Sequence, residues 1–367
     1  MPRRTMPHLV IDITAHGLGH LAQTSSVVAA LRRRRPDLRL TLRTGHGAAT
    51  LARFIDPPWD LAPPPPDLGM AMLDANRVDV AASHRYYADL HRDWGSVVAT
   101  QSSALTALKP DLLLSNIAYT GLAGAQAAGI PCLAACSLNW HDVAAAYLSG
   151  LPGMDAALAQ MHAAYAGARA FIRLEPALPM DSLPNRVAVS PVARLGTDRR
   201  TDLDRLFPQP PRHLVVVSFG GIAGPPILTR VPRLDGVAWL LNDPQSLPPG
   251  RDDVRLVDEV PVPFQDMVRS ADLALTKPGY GMFADSICNG TRLLSLTRPD
   301  WPETPWLTGW AKAHGVAGEI DTSALNTPAL DALLLDMLAR PIPPPPPARG
   351  GEEAAAIVLD FLGEGRV

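Results

Sequence analysis

Continuous apolar runs of strand length, each closed by a polar or glycine-rich turn, recur along this chain in two series. The first opens with His8-Leu-Val-Ile-Asp-Ile-Thr14, which leads into Ala15-His-Gly-Leu-Gly-His20. Apolar positions at Leu21, Val27, Val28 and Leu31 then keep helical spacing as far as Arg34, and Leu38 to Arg43 reads as a second strand. Runs that are apolar at successive positions suit a parallel sheet covered on both faces, and strand, loop, helix, strand is the order of a doubly wound α/β domain. Pro110 to Asn116, Ile130 to Ser137 and Ala170 to Leu174 continue the strands, with a small-residue helix from Thr120 to Ala128. Residues 56 to 70, holding Pro57, Pro58 and Pro63 to Pro66, read as a stiff loop. Residues 84 to 108 read as one helix, on which His84, Tyr87, His91 and Trp94 share a half-buried face.

From Pro176 to Pro211 the pattern becomes irregular and rich in proline, as at a domain boundary. The second series follows: His213 to Gly221, Val237 to Leu241, Val254 to Val257, Leu273 to Thr276 and Thr291 to Leu296. The expected organisation is an N-terminal Rossmann-like domain over 6–185, a linker over 186–211 and a second Rossmann-like domain over 212–342. Over 343–367 comes a proline-rich segment with a closing helix, Glu352 to Leu362, that could pack back on the first domain. A length of 367 residues, too great for one ordinary core, agrees with two domains. Two such sheets facing each other would leave a cleft, the usual home of a small ligand.

Composition narrows the class. Hydrophobic residues make up 47% and charged residues 19%, as in a soluble globular protein. The net charge is −3, and the one basic block, Arg32 to Arg35, closes a predicted helix where cations suit the macrodipole. Nucleic acid is therefore not an expected partner. Cys132, Cys136 and Cys288 form no disulfide framework and read as reduced, buried thiols. No apolar run reaches the ~18 residues of a membrane span, and the first residues hold no apolar leader core. A cytoplasmic location is expected, with peripheral contact to a membrane-borne acceptor left open; the oligomeric state is not legible.

Candidate chemistry lies at the turns that close the strands, since ligands of open α/β sheets bind outside the carboxyl ends. His20 follows a glycine loop at the end of the first strand, and an imidazole there can take a proton from a hydroxyl at neutral pH. His16 in the same loop, with Asn116, Asn139, Trp140 and His141 at later strand ends, are acceptor-side candidates. In the second series Gly220 and Gly221 could expose bare backbone to a diphosphate. Lys277, Gly279, Tyr280 and Gly281 form a turn into a helix whose free N–H groups would face an anion. Lys277 is one of only three lysines against thirty arginines. Asp285, further along that helix, offers a carboxylate to a ribose diol, while Val260 and Phe264 could meet a nucleobase. Asp300 and Glu303 could bind sugar hydroxyls. Each has a bland alternative: a helix cap, a tight turn, or an acid favoured in a first helical turn. No metal constellation stands out.

Taken together, Ala15-His-Gly-Leu-Gly-His20, Thr276-Lys-Pro-Gly-Tyr-Gly281 and Asp285 resemble glycosyltransferases of the GT-B fold. The likeness is in particular to the glycosyltransferase-like proteins related to the N-terminal domain of plant-type L-arabinokinases. More distantly it extends to the lipid II N-acetylglucosaminyltransferase and the UDP-glycosyltransferases. The resemblance implies two Rossmann-like domains and metal-independent, inverting transfer of a sugar from a nucleoside diphosphate sugar, a UDP-sugar for preference, to a small-molecule or lipid-linked acceptor. No cofactor is implied beyond that co-substrate. His20 takes the place of the family's base or acceptor contact, and Gly279 to Gly281 that of the diphosphate loop. Asp285 stands for a ribose-binding glutamate, Asp300 and Glu303 for the sugar-reading segment, and Asn116 where relatives often carry aspartate. Rival readings are a non-catalytic nucleotide-sugar binder, a nucleotide-sugar 2-epimerase-like enzyme needing further carboxylates and, least favoured, a nicotinamide dehydrogenase. Neither glycine loop completes GxGxxG with a ribose acid downstream.

Overall fold

The computed structural model describes residues 6–73, 77–220 and 226–364. It divides into two compact units, Met1–Val192 with Arg349–Val367, and Ala193–Ala348. In the first unit the strands are β1 (His8–Ile13), β2 (Arg39–Thr44), β3 (Asp60–Ala62), β4 (Leu112–Asn116), β5 (Cys132–Cys136), β6 (Phe171–Leu174) and β7 (Arg186–Val189). They form one parallel sheet in the order β3-β2-β1-β4-β5-β6-β7. The second unit holds β8 (His213–Ser218), β9 (Val237–Leu241), β10 (Val254–Leu256), β11 (Leu273–Thr276), β12 (Arg292–Leu296) and β13 (Ala317–Ile320). These pair in parallel in the order β10-β9-β8-β11-β12-β13.

Both sheets are doubly wound, the α/β architecture expected from the two series of apolar runs. The order reverses between β1 and β4 in one sheet and between β8 and β11 in the other, and a crevice opens at such points beyond the carboxyl ends. The central strands β1, β4 and β5 are buried along their whole length, because helices cover both faces.

The segment expected as a linker over 186–211 is divided between the units. Arg186–Val189 is the edge strand β7, mostly exposed and so lacking the apolar run that marks an inner strand. Arg200–Asp204 is a short helix that seats Leu203 in a core cluster of the second unit. The expected single helix over 84 to 108 is two, Val80–Arg92 and Trp94–Leu108. Asp93 interrupts it by turning its carboxylate to the Ser96 N–H, a cap that starts the second helix.

The closing helix, Gly350–Glu364, belongs to the first unit, where Ala354, Ala355, Val358 and Leu362 join the core holding Leu21, Val27, Val28 and Leu31. Glu353 anchors it, accepting from the Ser190 N–H at 2.7 Å and the Ser190 hydroxyl at 2.8 Å. Arg33 and Arg34 at the end of the helix Gly19–Arg34 both pair with Glu352. No helix among the described residues is long and apolar enough to cross a membrane. All three cysteines are free and buried.

Candidate functional site

In the first unit the reversal point gathers His20, Asn116, Thr14, His16 and Trp140. His20 opens the helix Gly19–Arg34 just past β1, and Asn116 is the last residue of the adjacent β4. Their side chains meet, with His20 Nδ1 3.0 Å from Asn116 Oδ1. The Asn116 amide nitrogen donates to the His20 carbonyl at 3.2 Å and to the Thr24 hydroxyl at 3.1 Å, so the oxygen is the atom that must face the ring. An amide oxygen can only accept, so Nδ1 carries the proton and Nε2 keeps its lone pair. Cys136 Sγ lies 3.5 Å from the same Nδ1. Burial pushes the imidazole pKa down to about 4; the Asn116 hydrogen bond opposes the shift and the nearby His16 and His46 add to it. Nε2 makes no hydrogen bond among the described residues. The arrangement is that of a neutral base held in one tautomer.

Trp140 is fully buried and forms one wall, its ring 5.8 Å from that of His20 and 5.2 Å, edge-on, from His16. His16 Nε2 donates to the Met70 carbonyl at 3.1 Å, which ties the glycine loop to the proline-rich loop. That loop carries a residue the sequence reading passed over. Asp67 accepts from the Thr14 hydroxyl, while its Oδ1 is buried with no hydrogen-bond partner among the described residues. Burial raises the Asp67 carboxyl to about 6, with Thr14, the Gly69 amide and the Trp140 indole opposing. A lone aspartate in a run of prolines gives no periodic signal, so only the folded loop reveals it. Beneath the site, Asp12 on β1 is fully buried beside Arg43, Nε to Oδ1 3.4 Å, and burial lifts its pKa to about 6 against the pull of that guanidinium.

Two acceptor-side candidates have other engagements. Asn139 is buried and caps the helix Trp140–Leu148: its Oδ1 accepts from the Asp142 N–H at 2.7 Å and its Nδ2 donates to the Asp142 carboxylate at 2.8 Å. His141 turns to Asp142, 2.8 Å away, and packs edge-on against His162. Helical neighbours differ by about 100° in direction, so His141 cannot share the Trp140 face.

In the second unit the reversal point joins the ends of β8 and β11, where the Thr276 hydroxyl donates to the Ser218 carbonyl at 2.6 Å. Gly220 follows with φ +83°, a left-handed conformation that suits glycine, and a Cβ there would stand 3.3 Å from Lys277 Cε. The Lys277 side chain thus lies over the first loop. Gly221, like Gly224 and Pro225, falls outside the described residues. Gly279 is the N-cap of the helix Tyr280–Cys288; among the described residues no side chain caps it and none stands beside Gly279 or Gly281. A helix start with no side-chain cap is where a fold can present backbone N–H groups to a ligand. Burial lowers the Lys277 pKa, with the neighbouring Arg298 adding to the effect. The Arg298 guanidinium sits 4.0 Å over the Trp301 ring.

Glu303, at the start of the helix Thr304–His314, accepts from the Trp301 indole, and its Oε1 is buried with no hydrogen-bond partner among the described residues. Burial raises its pKa to about 7, opposed by Trp301, Arg298 and Tyr280. Asp300 is exposed on the preceding turn. Val260 is buried, its N–H and C=O engaged with Val257 and Val262, so its backbone is not free for a base, while Phe264 is partly buried against the same core. Asp285 is also engaged, by Arg194, which a sequence reading could not pair with it across 91 positions. Asp202 and Asp204, whose spacing can serve a metal elsewhere, pair with Arg205 at 3.0 Å and Arg200 at 2.7 Å. Among the described residues no group of three or more His, Cys, Asp or Glu could hold a metal ion.

Two doubly wound sheets joined in this order make the GT-B fold, the fold of many solved glycosyltransferases. CalG4, the calicheamicin glycosyltransferase, matches with a TM-score of 0.63 at 15% identity over 99% of this chain and 100% of that chain. The glycotransferase of kitacinnamycin gives 0.61 at 14% identity, over 98% and 96%. Arabidopsis thaliana UGT89C1, solved with UDP, gives 0.58 at 13% identity, over 98% and 100%. At such identities the likeness is one of fold. No protein-family model matches the chain, and no curated protein matches it in sequence.

Proposed function

We propose that this chain is a glycosyltransferase that moves a sugar from a nucleoside diphosphate sugar, a UDP-sugar in the first instance, to an acceptor hydroxyl with inversion at the anomeric carbon. The observation that carries the reading is the second unit's uncapped helix start at Gly279, with Lys277 folded over Gly220 at the sheet's reversal point. A helix start with free N–H groups and a lysine beside it favours a diphosphate. The fold shared with glycosyltransferases supports the same reading. The motif likeness to arabinokinase-related proteins is its narrower form.

In this mechanism His20 Nε2 accepts the proton of an acceptor hydroxyl. The acceptor oxygen forms a bond to the anomeric carbon as the bond to the diphosphate oxygen breaks. The diphosphate leaves with that electron pair, its charge met by the helix N–H groups and Lys277. A single displacement inverts the centre, and the charge is met without calling on a metal or a further cofactor. The acceptor side would be lined by His16 and Trp140, the sugar side by Glu303.

A second reading, a non-catalytic nucleotide-sugar binder, is favoured by one observation: Asn116 is neutral, so its hydrogen bond only partly offsets the burial of His20, and the base is weak. A panel of UDP-, GDP- and dTDP-sugars, followed by thermal shift, donor hydrolysis and exchange of the sugar C2 hydrogen, separates these. Donor cleavage that is lost in His20→Ala while binding persists supports transfer. Binding without turnover supports the second reading, and exchange at C2 would point to epimerase chemistry. Absence of binding that Lys277→Ala can weaken would sink the nucleotide-sugar reading altogether.

A further inference from the structure

Asp285 lies five residues beyond Tyr280 on a helix whose start is the proposed diphosphate site, and the role inferred for Asp285 rests on that reading. Five residues of helix rise about 7.5 Å, roughly the reach from a diphosphate to the pentose of the same nucleotide. Asp285 is therefore the carboxylate this helix would present to a ribose diol. It is not available. The Arg194 backbone N–H donates to Oδ1 at 2.7 Å, and Nε and Nη2 of the same arginine donate to Oδ2 at 3.0 and 2.7 Å. The residue is 3% exposed.

Arg194 is itself held in place. Asn289, one turn further along, donates to the Arg194 carbonyl at 3.0 Å and accepts from the Gly196 N–H at 3.0 Å. The Thr197 N–H reaches Asp266 at 2.8 Å and the Arg199 N–H reaches the Ser270 hydroxyl at 2.7 Å. Segment 194–199 is thus fastened through Arg194, Gly196, Thr197 and Arg199 to two helices of its own unit. A sugar hydroxyl would have to replace charge-assisted bonds from a guanidinium with a neutral one, an unfavourable exchange.

We propose that Arg194 withholds the Asp285 carboxylate from the nucleoside, so that this unit binds nucleoside diphosphates without reading the 2′-hydroxyl. Ribo- and 2′-deoxyribonucleoside diphosphates are then accepted alike. Calorimetric titration of the full chain with UDP and with 2′-deoxy-UDP tests this directly. The expected result is two dissociation constants within about threefold, since no strong hydrogen bond separates the ligands. A tenfold or greater preference for UDP overturns the inference while leaving the nucleotide reading intact, and failure of both to bind overturns both. In a second arm, Arg194→Ala, checked for folding by circular dichroism, removes both side-chain bonds to Asp285 Oδ2, keeps the backbone bond to Oδ1, and should shift the ratio toward UDP. A folded variant with an unchanged ratio would show that Arg194 is not what sets it.

Discussion

The hydrogen bond between His20 and Asn116 yields the sharpest test of the proposed chemistry. Replacing Asn116 by aspartate puts a charge 3.0 Å from the ring nitrogen where there is now a neutral amide. At an effective dielectric near 20, unit charges about 4 Å apart interact by about 4 kcal/mol, or about three decades in proton affinity. Burying the new carboxylate takes back a part, as does loss of the amide's two donated bonds to the His20 carbonyl and Thr24. The imidazole should therefore move from about 4 to the neighbourhood of 6–7. The base acts in its neutral form, so activity is lost as pH falls through its pKa. For the wild type, kcat/KM for donor cleavage should stay level down to about pH 5, whereas Asn116→Asp should fall away below about 6.5. Above pH 7.5 the variant should be faster, on the order of tenfold, because the base is stronger. Asn116→Ala is the control: it frees the tautomer and should lower the rate without moving the acid limb upward. A folded Asn116→Asp protein whose pH profile overlays the wild type would refute the proposal of His20 as the base.

Two further outcomes concern buried groups of the first unit. His20 holds its proton less tightly folded than unfolded, so the unfolded chain gains protons first and stability falls as pH drops from about 6.5 to about 4, by up to about 3 kcal/mol. Asp12 and Asp67, raised to about 6, act in the opposite sense as pH falls through the same range. His20→Gln should therefore lose less Tm than the wild type between pH 6.5 and 4 by scanning calorimetry; parallel curves would contradict the burial argument. Gly121 packs its Cα on Asp12, and a Cβ there would stand 1.9 Å from Asp12 Oδ2. Gly121→Ala should cost about 3 kcal/mol in urea unfolding of that unit, and a loss under ~0.5 kcal/mol would mean the buried pair with Arg43 can shift freely.

Much of the fold could be read before the structure. Inner strands of a parallel sheet are buried on both faces, so β1, β4, β5, β8 and β11 appear as predominantly apolar runs, and with them the two α/β halves. Edge strands carry no such mark: β3 and β7 are largely exposed, and β7 was hidden within an apparent linker. The break at Asp93 was hidden too, because the helical spacing continues across it and only the capping bond reveals it.

The candidate site divides along the same line. Which residues stand at strand ends follows from local order, so His16, His20, Asn116 and the loop at Lys277 were visible as positions along the chain. What those side chains touch was not, because each partner comes from a distant element: Asn116 from 96 positions beyond His20, and Arg194 from 91 before Asp285. By itself the sequence determined two doubly wound halves and the loops that close their strands, since burial periodicity is written locally. Only the tertiary structure decided that Asn116 holds one tautomer of His20, that Asp67 enters the site, and that Arg194 covers Asp285. Those are matters of long-range contact and of the dielectric each group meets when buried, and neither leaves a trace in local spacing.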